Sequence, residues 1–236
     1  MHPEHKKLMK EVRRVAGTGS VGHHGSKSYL GSVHRFYNVS VPERRKIVKK
    51  WMSAHTEISP RDFFAILDSL YKGDSHEEKT IASILLGLSP KMRTSVKVTD
   101  IDRWLSYVSG WAEVDHLCQS IFTAEELLSR WSVWKTFMKR LSKDKNIHKR
   151  RASLVLLTGP VCHNSDRRLR DLAFEIIDTL KPEKEILVTK AISWLLRSMI
   201  AFHRKEVATY LSKNALTLPK IALRETRRKL ETGPKF

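Results

Sequence analysis

The sequence predicts an all-α protein, and three observations carry that prediction. Apolar residues recur at three- and four-residue spacing, as in Phe63, Phe64, Ile66, Leu67 and Leu70, or Leu127, Leu128, Trp131, Trp134 and Phe137. That is the pattern of helices with one buried face. Helix-start chemistry precedes several of these runs: Ser59 before Pro60, and Thr123 with Glu126 three residues later, a residue pair that can cap both orphan N–H groups of a first turn. No run of any length alternates apolar and polar residues with the period of two that a half-buried strand needs.

Taken in order, Pro3 to Ala16 reads as a charged first helix with Leu8, Val12 and Val15 on one side, and Gly17 to Gly25 as a loop. Ser26 to Phe36, with Tyr29, Leu30 and Val33, reads as a short helix. The stretch from Tyr37 to Arg45 is a turn into a helix, where Pro42 is tolerated because its missing N–H would have been an orphan donor. Ser59-Pro60-Arg61-Asp62 opens the next helix, and Ile81, Ile84, Leu85 and Leu88 continue the pattern after a polar break at Lys72 to Ser75. Trp111 and Asp115 fall four residues apart, on one face of one helix. The Thr123 capping box starts a long amphipathic helix. Further helices cover Lys145 to Leu157, Arg167 to Leu180, Pro182 to Phe202, Lys205 to Ser212 and Pro219 to Leu230. Short helices in pairs with short polar links are the signature of an α-solenoid of the HEAT or armadillo kind, whose repeats run about 40–47 residues. A compact helical bundle is the alternative.

A chain of 236 residues suffices for one substantial domain or two small ones, and it is read here as one repeat domain, 1–236. Hydrophobic content of 41% with 29% charged residues excludes global disorder. Lys and Arg number 44 against 25 Asp and Glu, a formal charge of +19, so a polyanion, nucleic acid first, is the expected partner. A ribosome-associated or membrane-surface protein would share that balance. No apolar run approaches the roughly 20 residues of a spanning helix, and Met1 to Lys7 lacks the apolar core of a signal peptide. With Cys118 and Cys162 forming no CxxC pair, reduced thiols and a cytoplasmic, nucleoid-associated monomer are expected.

The basic residues are grouped. Arg44, Arg45, Lys46, Lys49 and Lys50 share one helix; Lys143, Lys145, His148, Lys149, Arg150 and Arg151 form a second group; Arg167, Arg168 and Arg170 open a third; Lys220, Arg224, Arg227, Arg228 and Lys229 fill the last. Each group alone is most often a solvated face, but four on successive repeats suit a track for a polyanion. His23, His24 and His116 lack Cys, Asp or Glu at a recognised metal-ligand spacing. Gly17 to Gly25 lacks the Lys-Ser/Thr ending and preceding strand of a phosphate loop. Neither a metal nor a cofactor is expected.

Five stretches in register carry a resemblance. Tyr29 followed by Val39-Ser40-Val41-Pro42-Glu43-Arg44-Arg45 resembles the N-terminal signature of the DNA alkylation repair glycosylases of the AlkD type. Trp111-Ala112-Glu113-Val114-Asp115 is similar to their Trp-x-x-x-Asp segment, and Asn146 to Ser153, with Arg151, to their Arg-Ala helix. Lys190-Ala191-Ile192-Ser193-Trp194-Leu195-Leu196-Arg197 resembles their Lys-Ala-x-x-Trp-x-x-Arg helix, and Leu218 to Leu230 their last helix. The resemblance implies a solenoid of HEAT-like repeats that binds duplex DNA in a concave basic groove and removes purines made cationic by alkylation at N3 or N7. It implies a site of Asp115 with Trp111 and Trp194 beside it, Tyr29 nearby and Arg151 on the DNA backbone. The chain departs from the pattern at Ile186 and Leu187 and at Gly110, where the family often carries aromatics, and Glu113 adds a second acid.

The residues suit that chemistry. N-glycosidic cleavage passes through an oxocarbenium-like state, which the Asp115 carboxylate can stabilise while holding or deprotonating water. A cationic purine leaves neutral, so one acid can suffice. Indole faces at Trp111 and Trp194 stabilise cations by about 0.5–2 kcal/mol each. Arg151 and Lys190, with Arg44, Arg45, Lys149, Arg150 and Arg197, would hold phosphates without reading sequence. Glu113 is read as pointing away from Asp115 into solvent. The alternative functions are a related module that binds damaged or branched DNA without chemistry, and a basic scaffold for proteins or RNA.

Overall fold

The computed structural model describes residues 1–17, 27–119 and 121–233, and these contain helices and no strand. They form two compact units, Met1–Leu117 and Cys118–Phe236. Most of the expected Gly17–Gly25 loop, with His23 and His24, lies outside the described residues.

The first unit holds α1 (Pro3–Arg14), α2 (Lys27–Leu30), α3 (Val41–Ser53), α4 (Pro60–Tyr71), α5 (His76–Gly87), α6 (Pro90–Ser95), α7 (Val98–Leu105) and the start of α8 (Gly110–Cys118). Three starts follow from the local chemistry: the Oγ atoms of Ser40 and Ser59 accept the backbone N–H of Glu43 and Asp62, and Ser75 with Glu78 forms a full capping box. Helix α5 packs against α3 and α4, and every residue from His76 to Leu86 is buried. Its first turn therefore carries charge into the core, where each group needs a partner. His5 Nε2 lies 2.7 Å from Glu78 Oε1, Lys79 Nζ donates to the carbonyls of Tyr71 and Gly73, and Glu77 accepts the N–H of Tyr37 and of Val39.

The helix expected over Ser26 to Phe36 is confined to Lys27–Leu30. Gly31 takes a left-handed φ of +65°, which stops the helix. The chain beyond it is held as extended backbone: Arg35 N donates to Asp74 O and His76 N to Arg35 O, both at 2.8 Å. Backbone pairing with the α4–α5 turn thus overrides a weak local helix pattern.

The second unit holds α9 (Ala124–Ser129), α10 (Trp131–Leu141), α11 (Ile147–His163), α12 (Arg167–Leu180), α13 (Ile186–Lys213) and α14 (Lys220–Thr232). The Thr123–Glu126 capping box is present, but the helix it opens ends after six residues. Arg130 leaves helical geometry at φ −126°, ψ 43° and α10 starts anew, so the expected long helix is two. Helix α11 packs against α9, α10, α12 and α13, which is why it is apolar around most of its circumference. Helix α13 runs on through the two segments expected as separate, bent at His203 (φ −129°, ψ 38°). Contrary to the sequence reading, α13 has the length and apolar composition to cross a membrane; 56% of that stretch is buried against its own fold, chiefly on α11 and α14.

Candidate active site

Helix α8 is where the first unit assembles the acid, the indole and the tyrosine. Its first residue, Gly110, has φ +73°, and a Cβ there would lie 2.4 Å from Leu30 O and 2.5 Å from Gly31 O. Only glycine allows so close a backbone approach, which accounts for the absence of an aromatic at this position. The approach brings the end of α2 against α8. Trp111 Nε1 donates to Tyr29 O at 2.6 Å, and the two rings meet edge to face with centroids 5.3 Å apart. One turn further on, Asp115 is 8% exposed, on the same helix face as half-buried Trp111. Tyr29 is 37% exposed. The described structure thus brings Tyr29, Trp111 and Asp115 onto one face of the first unit.

Glu113, expected in solvent, is fully buried. Its carboxylate accepts Ser32 Oγ at 2.6 Å and the N–H of Ser109 at 2.8 Å, while Nδ1 of His34 lies 2.9 Å away and Nδ1 of His76 3.2 Å away. Burial alone would raise this carboxyl, but the bonds from His34, His76, Ser32 and Ser109 outweigh it and hold the pKa down to about 2. Arg44 also leaves the expected polyanion-facing set. It is 5% exposed, and its guanidinium donates to Thr80 Oγ1 and to Nε2 of His76, with burial lowering its pKa to about 10. Arg45, its neighbour, is exposed. Positions 44 and 45 point to opposite sides of α3 because successive helical residues are about 100° apart.

In the second unit, Lys190, Trp194 and Arg197 follow the i, i+4, i+7 spacing of one face of α13. Lys190 is exposed, Trp194 and Arg197 are half-buried, and Arg197 Nε donates to Ser193 O at 3.2 Å. Arg151, expected on the DNA backbone, is 5% exposed, and its guanidinium donates to the Leu187 carbonyl in the first turn of α13. Arg150 Nη1 donates to the carbonyls of Asp144 and Lys145, and its Nε lies 2.8 Å from Glu183 Oε1. Lys149 Nζ is 3.9 Å from Asp144 Oδ2. Arg150 and Arg151 are thus engaged within the unit, whereas Arg45 and Lys190 stand in solvent. Of the altered positions, Ile186 is 54% exposed and Leu187 half-buried.

Ser32, His34, His76 and Gly31 escaped the sequence reading. The usable signals were the extra acid beside Asp115 and the polar run His76-Glu77-Glu78-Lys79-Thr80 at the head of an apolar helix. Among the described residues no group of His, Cys, Asp and Glu is arranged to hold a metal.

The same cluster predicts two-stage acid destabilisation. Burial, then the Arg44 charge, push half-buried His116 down to about 4 from 6.5. Between those pH values the unfolded chain binds a proton that the folded chain refuses, so stability is full above 6.5 and declines as pH falls to about 4. Discounted for partial exposure, the loss is on the order of 2 kcal/mol. Glu113 and Glu78, both held at about 2 against 4.5, lose their contribution in a second stage from about 4.5 to 2. Urea midpoints measured from pH 7.5 to 3 should decline already above pH 4.5, and His116→Gln should flatten that upper stage. A flat wild-type midpoint down to pH 4.5 would contradict a His116 held neutral in the fold.

The described residues form an all-α fold with the acid and the indole on one face of α8. The fold is shared with a predicted DNA alkylation repair enzyme from Enterococcus faecalis (TM-score 0.70, 18% identity, 98% of this chain and 97% of that one). It is shared too with the Pseudomonas fluorescens alkylpurine DNA glycosylase AlkC bound to DNA containing an abasic-site analogue (TM-score 0.56, 17% identity, 96% of this chain and 62% of that one). No curated protein sequence matches the chain. The family model described as DNA alkylation repair enzyme matches residues 21–230: the chain belongs to that family.

Proposed function

We propose that the protein is an alkylpurine DNA glycosylase that hydrolyses the N-glycosidic bond of cationic N3- and N7-alkylated purines in duplex DNA. The observation that carries this reading is the α8 face, where a nearly buried Asp115 sits one turn from an indole fixed by its own N–H to Tyr29 O. A carboxylate kept from bulk water interacts more strongly with a developing sugar cation than a solvated one would. The Trp111 face adds attraction for positive charge, and its hydrogen bond holds the ring in place before substrate arrives. Because the alkylated base already carries the charge it will lose, it departs neutral and needs no proton from the protein. Asp115 then serves the sugar and orients the attacking water. Lys190, Trp194 and Arg197 offer a second patch of different chemistry, an indole between two cations, suited to a phosphodiester strand. The AlkC complex with DNA containing an abasic-site analogue supports DNA as the polymer.

The charge argument has a direct test. Given duplexes that differ at one position, the protein should release N7-methylguanine and leave uracil, a neutral base, in place. Release of both at similar rates would overturn the dependence on a cationic leaving base.

A further inference from the structure

Four helices, α3, α4, α11 and α12, start on one Ser, Asn or Asp oxygen that accepts one backbone N–H. The start of α8 is different. A fully buried carboxylate is surrounded by four donors from three separate stretches: Ser32 and His34, His76 at the head of α5, and the N–H of Ser109. A carboxylate only accepts, so both histidines must present Nδ1–H to it. For His76 the other nitrogen, Nε2, then accepts from Arg44 Nη1 at 3.3 Å. The buried guanidinium and the buried carboxylate are thus joined through one neutral imidazole, and Thr80 Oγ1 accepts from the same Nη1.

What this network joins is significant. Ser32 lies three residues after Tyr29, whose carbonyl receives the Trp111 indole. Glu113 lies midway between Trp111 and Asp115 on the single short helix that carries both. The Gly31–Gly110 approach brings the two stretches into contact, but two glycines supply no directional bond to hold them there. The Ser32–Glu113 and His34–Glu113 bonds do. A buried carboxylate with donors on both oxygens is held in one arrangement, whereas a partly bonded one costs free energy and admits several.

We propose that Glu113 is a positioning residue of the active site, whose carboxylate locks the Tyr29–His34 stretch and α5 onto α8 and thereby sets the placement of Trp111 and Asp115. This inference rests on the glycosylase reading. Glu113 is fully buried and acts through its neighbours. Replacing it with glutamine keeps the shape but sets an NH2 group against at least one of four donors, so α8 loses its fixed register with the Tyr29 stretch.

The test uses the full chain, in excess over a labelled duplex with one N7-methylguanine, measuring the single-turnover release rate at saturation and, separately, the Kd for the same duplex. Glu113→Gln should slow release about 10- to 100-fold, the scale of a misplacement of about 1 Å, with Kd within about threefold of wild type. Combined with Asp115→Asn it should slow release no further than Asp115→Asn alone, since residues acting as one unit are not additive. Ser32→Ala, which removes one donor and no charge, should show the same pattern more weakly, and it carries the test if Glu113→Gln does not fold. A Glu113→Gln rate within twofold of wild type overturns the proposal, as does a loss that appears equally in Kd, or one that multiplies with that of Asp115→Asn. Absence of release by the wild-type protein removes the glycosylase reading and the positioning role with it. An active wild type beside an unimpaired Glu113→Gln removes the positioning role alone.

Discussion

Asp115→Asn is expected to cut base release by about 100-fold or more, the cost of removing one preorganised electrostatic group from a reaction that develops charge beside it. The substitution changes charge and almost no volume, and Asp115 is only 8% exposed on a helix whose neighbours Ala112, Val114 and Leu117 are buried. The variant should therefore fold, and its affinity for duplex DNA should change little, because the substitution removes no cation. Single-turnover release with Kd measured in parallel checks this. Undiminished release in Asp115→Asn would remove the residue from the mechanism. A parallel collapse of binding would mean that Asp115 organises the DNA surface and not the chemistry.

The second large effect is on binding. Of the cations expected to meet DNA, Arg45, Lys190 and Arg197 keep exposed or half-exposed positions, while Arg44 and Arg151 are buried in bonds within their own units. Three phosphate contacts alone give a slope of about −2.7 in log K against log salt, or about a 40-fold loss of affinity between 50 and 200 mM salt. With a formal charge of +19 on the chain, further contacts would only steepen it. Lys190→Ala should reduce the slope by about 0.9 and weaken binding to every sequence alike. A wild-type slope shallower than about −2 would contradict an extensive phosphate track.

Much of the fold was legible from residue order. The runs behind α4, α12 and α14 have helical spacing and end at turn residues, and the structure places them within a residue or two of the expected limits. Helices α6 and α7 were missed because six and eight residues give too few turns for a periodic signal. The break at Arg130 and the extended stretch after Gly31 depend on tertiary packing that overrides local preference. At the site, Trp111, Asp115 and Tyr29 were named in advance through the family resemblance. Glu113 reads as solvated because helical geometry turns it away from Asp115, and its partner Ser32 is 81 residues away in the chain. Arg44 was misplaced because five basic residues on one helix look like a single patch until the buried side of α3 is known. Composition counts charges and does not say which are spent inside the fold.

The most direct measurement is the yield of free 7-methylguanine from a duplex carrying one N7-methylguanine, incubated with excess wild-type protein and compared with spontaneous depurination of the same duplex. The account predicts release well above that background, with an abasic strand formed in equal amount and no release from unmodified DNA. Tight binding to the same duplex with no release above background would contradict it, and would make the chain a family member that recognises DNA without cleaving the glycosidic bond.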